Sequence, residues 1–128
     1  MELTNEILEI INSADNRALA TVGEDGPNVV PLSMVITDKD SIVICDCFMG
    51  KTAANLAGDP RAAISFWKGF VGVQVKGNIS YETSGENFEL YVKWLKEKHP
   101  DRNLRGVLVM SPEKVFDLAP SNAGCQLA

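Results

Sequence analysis

The side chains equipped for binding or redox chemistry stand close together in the middle of the chain. Gly50-Lys51-Thr52 lies where a β-branched run gives way to helix formers. A helix starting there would offer unpaired N–H groups and the positive end of its dipole to an anion. Lys51 adds a full charge and Thr52 a hydroxyl, so the pair, at an exposed helix start, has the makings of a phosphate cradle. The segment lacks the G-x-x-x-x-G-K-S/T spacing of a P-loop, and taken alone it reads as ordinary capping.

Just upstream stand Cys45 and Cys47, with Cys125 far away near the C-terminus. The count is odd and no C-x-x-C spacing occurs, so neither a zinc knuckle nor a redox pair is signalled. Two positions apart on a strand, Cys45 and Cys47 point to the same face, a placement compatible with a soft metal or a disulfide. The plainer reading, two small apolar residues in one environment, is preferred, and no metal site is expected. His99 is the only histidine. That excludes a multi-histidine metal centre and most histidine-based triads within one chain. It precedes Pro100 and reads as an exposed residue at a helix end.

A chain of 128 residues with 45% apolar and 23% charged side chains has the size and composition of one globular domain, expected to span 1–128. Acidic residues exceed basic ones by 17 to 12, a net charge of −5, which opposes binding to nucleic-acid phosphates. The opening Met1-Glu2-Leu3-Thr4-Asn5-Glu6 carries acids where a signal peptide needs positive charge. No apolar run approaches the roughly 20 residues of a membrane span. A cytoplasmic protein with neither nucleic-acid nor membrane partners is expected.

The elements that would position the central residues follow from period and punctuation. Thr4 is placed as N-cap of an amphipathic helix of about a dozen residues, with Leu3 and Leu8 at staple spacing. Strands are expected at 17–22, at 28–37 with an interruption at Pro31, and at 41–47, joined by short turns into an antiparallel meander. Residues 51–57 form a short helix, with Gly58 as its C′ stop and Pro60 beyond. Two further strands, 61–67 and 70–81, make a hairpin. A third helix opens with Thr83-Ser84-Gly85-Glu86 at capping-box spacing and ends before Pro100. A last strand, 106–118, carries a kink or bulge at Pro112. The sum is a mainly β fold: a six-stranded antiparallel barrel, split or closed, with Greek-key connections and two to three flanking helices.

The order of parts carries more than any one of them. The Asp25-Gly26-Pro27 turn is followed by Pro31-Leu32-Ser33-Met34. Then come Asp46-Cys47-Phe48-Met49, Lys51-Thr52 with Asn55-Leu56, and finally Asp59-Pro60-Arg61. This series resembles the FMN-binding split-barrel family, the group related to pyridoxamine 5′-phosphate oxidase, and looks closest to its short members called FMN-binding proteins. The resemblance extends from Ala18 to the C-terminus.

It implies that Lys51 and Thr52 hold the flavin phosphate, that backbone at Pro31, Leu32, Ser33 and Met34 runs beside the ribityl chain and ring, and that main-chain groups of Asp46, Cys47, Phe48 and Met49 meet the polar edge of the isoalloxazine. Asn55 either supports the phosphate loop or caps locally. The family further implies a homodimer with flavin at the interface, and a tail, 121–128, that reaches the partner's flavin. The oxidases proper are longer and richer in basic residues, so oxidation of pyridoxamine phosphate itself is not expected.

Two functions fit these expectations. One is electron transfer through FMN with a redox partner protein. The other is an FMN-dependent reductase or oxidase of a small organic substrate, with Trp67 or Phe70 stacking on it. A non-redox module that binds a flavin or another phosphate-bearing ligand is the reading outside redox chemistry.

Overall fold

Alternating apolar residues give each strand one buried face, and a curled sheet lets all those faces share one core. The computed structural model describes residues 1–128. In chain order its elements are α1 (Asn5–Ser13), β1 (Asn16–Gly23), β2 (Gly26–Pro31), β3 (Val35–Thr37), β4 (Ile42–Asp46), α2 (Gly50–Gly58), β5 (Arg61–Lys68), β6 (Val71–Glu82), α3 (Glu86–Lys98) and β7 (Gly106–Asp117). The strands form one antiparallel sheet in the order β2-β1-β5-β6-β7-β4-β3. Its interior is filled by Leu19, Ile44, Ile64, Phe66, Val73, Val75 and Leu108, with Leu3, Ile7 and Ile11 of the α1 end packed into the same cluster. Burying each such side chain contributes about 1.5–3 kcal/mol. This is the expected split barrel.

The strand count differs from expectation: seven strands form, not six. The run 28–37 divides because Pro31 has no N–H to continue the ladder. The next N–H, of Leu32, still reaches the Arg17 carbonyl at 3.1 Å. Leu32-Ser33-Met34 then carries the chain to the opposite edge of the sheet, where β3 pairs with β4. The first strands are therefore two hairpins at opposite sheet edges rather than one meander. β4 pairs with β7, and β1 with β5 across the α2 connection.

Helix ends show where local signals competed. Thr4 does cap α1, accepting from the Ile7 N–H at 3.2 Å, although the helix runs nine residues rather than a dozen. Thr83 does not cap α3. The helix starts at Glu86 after Gly85, whose φ of 98° breaks the register the capping box requires. Gly58 closes α2 from inside the helix, and extended Asp59 is the C-cap. The irregularity on β7 falls as expected, with the β6–β7 register shifting between Lys76 and Gly77, the residue paired with Pro112.

Candidate functional site

The site is organised around the end of β4. Ile44 and Asp46 face the barrel interior, whereas Cys45 and Cys47 face out beneath α3. Asp46 is fully buried. One carboxylate oxygen accepts from the Met49 N–H at 2.6 Å, and the other accepts a short hydrogen bond from the Tyr81 hydroxyl. Burial first, and the Asp46 carboxylate second, push the Tyr81 phenol up to about 12. A Cβ at Gly106 would stand 2.3 Å from the Tyr81 ring, so only glycine lets the tyrosine pass β7 to reach Asp46. Met49 is the N-cap of α2. Asp46 thus sets where that helix begins.

The first turn of α2 presents three N–H groups, of Gly50, Lys51 and Thr52, with no protein acceptor. Lys51 is exposed and paired with Asp25 of the β1–β2 turn, which holds that carboxyl below its usual range. Thr52, expected to be exposed, is only 1% so. Helical phase turns it inward, where its hydroxyl accepts from Asn28 Nδ2 at 3.4 Å. Asn55 is committed to β1: its Nδ2 donates to Thr21 Oγ1 at 3.1 Å, and a Cβ at Gly23 would lie 1.8 Å from its Oδ1. It pins the helix rather than reaching the helix start. Asp59, held at about 2 by its hydrogen bonds from Arg61, joins the end of α2 to β5.

Beside the helix start lies a cleft of about 380 Å³ lined by Val30, Pro31, Leu32, Ser33, Met34, Cys45, Cys47, Phe48 and Met49. Its lining carries no charged side chain. Burial pushes the Cys45 thiol up to about 11 and raises that of Cys47, against the pull of nearby Arg102. The N–H groups of Cys47 and Phe48 are unpartnered, whereas the Asp46 carbonyl is taken by the Arg105 N–H and the Met49 N–H by the Asp46 side chain. A second, larger hollow of about 600 Å³, between the β1–β2 turn and α2, is rimmed by Glu24, Asp25, Lys51 and Asp59.

This arrangement can be set beside known proteins. The family described as pyridoxamine 5′-phosphate oxidase matches residues 3–119. The chain belongs to that family. It is 29% identical over 107 residues to the FMN-binding protein of Nitratidesulfovibrio vulgaris, covering 73% of this chain and 88% of that one. It is 27% identical over 117 residues to an uncharacterized protein of Methanocaldococcus jannaschii, covering 86% and 78%. Among solved structures, Group A Streptococcus HupZ superposes with a TM-score of 0.81 at 23% identity, over 96% of this chain and 98% of that one.

For this member of the oxidase family, the structure brings Pro31, Leu32, Ser33, Met34, Cys47, Phe48, Met49, Lys51 and Thr52 to one cleft and the adjoining helix start. The Asp46 side chain is committed to Tyr81 and Met49, its carbonyl accepts from the Arg105 N–H, and the Asn55 side chain is committed to Thr21. Neither Trp67 nor Phe70, the candidate stacking residues, lines the cleft of its own chain; Phe48, 76% exposed, stands there instead. The tail folds back on its own β7, where the Leu127 and Ala128 N–H groups reach the Val115 carbonyl. Sequence reasoning missed Tyr81, Gly106, Gly23 and Arg102. Each acts through a long-range contact that local spacing does not reveal. No helix is long and apolar enough to cross a membrane.

Proposed function

We infer that the chain holds FMN and works in flavin-dependent oxidoreduction. The observation that carries this reading is the juxtaposition of an uncharged 380 Å³ cleft with a helix start bearing three free N–H groups and Lys51. The volume lies within the roughly 300–1,000 Å³ of small-molecule sites. A phosphate suits the free amides and Lys51, with the Thr52 hydroxyl still able to donate. A neutral, largely apolar ring suits the cleft. The unpartnered Cys47 and Phe48 N–H groups supply donors for a polar ring edge. When bound, FMN supplies reversible one- and two-electron chemistry. The residues of this chain bind and orient it, and none is required as an acid or base, which favours electron transfer over turnover of an organic substrate.

A homodimer is part of this proposal, and the outer face of the sheet supports it. Pro27, Val29 and Pro31 of β2, Ala18, Ala20 and Val22 of β1, and Ala63, Ser65 and Trp67 of β5 share that face, with Arg61, paired with Asp59, as the charged side chain at its edge. A largely apolar face beside the cleft, with Val29 66% exposed, suits a second copy of the chain. The test is a visible spectrum of the purified protein before and after dithionite, with mass identification of the released chromophore and sedimentation velocity on the same sample. A bleaching flavin spectrum, FMN on release and a dimer are expected. A colourless protein that takes up no FMN would remove the reading.

A further inference from the structure

The outer face of β4 gathers sulfur. Cys45 and Cys47 leave the same side of the strand. Continuing the Val35–Ile44 pairing by one position sets Met34 opposite Cys45, and the Cys45 N–H donates to the Met34 carbonyl at 3.4 Å. Residues so opposed have Cβ atoms about 5 Å apart, which sets the Met34 and Cys45 side chains side by side. Met34 and Cys45 pack in one buried cluster with Cys47 against it, and all three line the cleft. Arg102, from the segment between α3 and β7, completes the group: its Nη1 is 3.7 Å from Met34 Sδ, and its charge acts on the Cys47 thiol. Half-buried, it takes part in neither of the ion pairs of the chain.

We propose that Met34, Cys45 and Cys47, with Arg102 as counter-charge, form a binding site for one soft monovalent metal ion of the Cu(I) class. Two thiols and a thioether select a soft ion, and no cluster of histidines, cysteines and carboxylates favours a harder one. The chemistry balances without electron transfer. A monovalent cation binds two thiols, two protons leave to solvent, and the bis-thiolate complex carries one negative charge, with the Met34 sulfur as a neutral third ligand. That complex is the anion Arg102 lacks. The groups facing it are Arg102 and Tyr91, with the Asp46 charge opposing the Cys47 thiolate from the far side of the strand, where the carboxylate bonds to Tyr81. The three sulfurs line the cleft that the flavin reading gives to the ring, so ion and ring exclude one another there, and the metal site stands or falls on the flavin-free protein.

The experiment is an anaerobic Cu(I) titration of the reduced, full-length protein, as purified and again after any flavin is removed, in competition with a chromogenic Cu(I) chelator. Ag(I) serves as a redox-inert check. One ion per chain, an ultraviolet thiolate-to-metal band and release of two protons per ion are expected. Cys47→Ser, at a half-exposed position where folding is insensitive, should weaken binding about 100-fold, and Met34→Leu or Arg102→Gln about tenfold, while Cys125→Ser leaves it unchanged. Stoichiometry that follows Cys125, an affinity indifferent to Cys47→Ser, or Zn(II) bound as tightly as Cu(I) would each overturn the proposal.

Discussion

The hollow between the β1–β2 turn and α2 is rimmed by Glu24, Asp25, Lys51 and Asp59, whereas the cleft before α2 carries only apolar, hydroxyl and sulfur side chains. The larger hollow is richer in charge, yet three of the four charges on its rim are already paired: Lys51 with Asp25, and Asp59 with Arg61. The smaller cleft has no charge on its lining and keeps free backbone donors at Cys47, Phe48 and the start of α2. Its anchor, Asp46 with Tyr81 and Met49, is buried behind it. Capacity for a ligand therefore tracks unspent hydrogen-bond donors held on a rigid support, and the number of ionisable groups at a surface is a poor guide to it.

The sharpest way to break this contrast is to remove the support. Asp46→Ala leaves the Tyr81 hydroxyl and the Met49 N–H without acceptors and should cost about 3 kcal/mol in urea denaturation, since hydrogen bonds to a buried charge are among the stronger ones. Tyr81 adds a pH signature. Its pKa rises from an ordinary 10 to about 12 in the fold, so the folded state holds this proton more tightly than the unfolded chain does. The stabilisation is complete below pH 10 and is lost as pH rises through about 12. Tyr81→Phe should abolish that alkaline step, which thermal melts across the range would detect.

The next effect concerns the ligand end. Lys51→Ala with Thr52→Ala should weaken FMN binding about 30-fold in fluorescence titration, because a phosphate would lose two charge-assisted partners and keep the amides. Far-ultraviolet circular dichroism must stay native, since Thr52 also accepts from Asn28. Unchanged affinity would move the phosphate away from α2. A smaller effect should follow Gly23→Ala. The new methyl would meet the buried Asn55 amide and break its hydrogen bond to Thr21, costing about 1.5 kcal/mol, with FMN affinity reduced through displacement of α2.

Much of this architecture was legible in the sequence because local rules and tertiary packing agreed. Thr4 capped its helix, Val73 and Val75 of β6 faced the core while Val71 at its start stayed exposed, and Pro112 marked the bulge. Pro31 was legible as an interruption, but its consequence was not. Whether the chain resumes the same ladder or crosses to the other sheet edge depends on barrel closure, which no window of neighbouring residues encodes. The residues of the cleft were identified through a family likeness and their order along the chain. The supports behind them were hidden, because Tyr81 reaches Asp46 from 35 positions away and passes β7 only at Gly106.

The finest test of the contrast between the two hollows is Asp25→Asn. Lys51 and Asp25 are both exposed, their side chains 59% and 76% accessible, so the pair contributes little to folding and the variant should melt with the native protein. Its effect should fall on binding. An ammonium released from Asp25 is available to a phosphate at the helix start, and FMN should bind about threefold more tightly at low ionic strength, the gain fading in 0.5 M salt as screening shortens the reach of both charges. Weaker binding would carry the opposite meaning: Asp25 would then orient Lys51 toward the phosphate, and the charged hollow would belong to the site instead of competing with it.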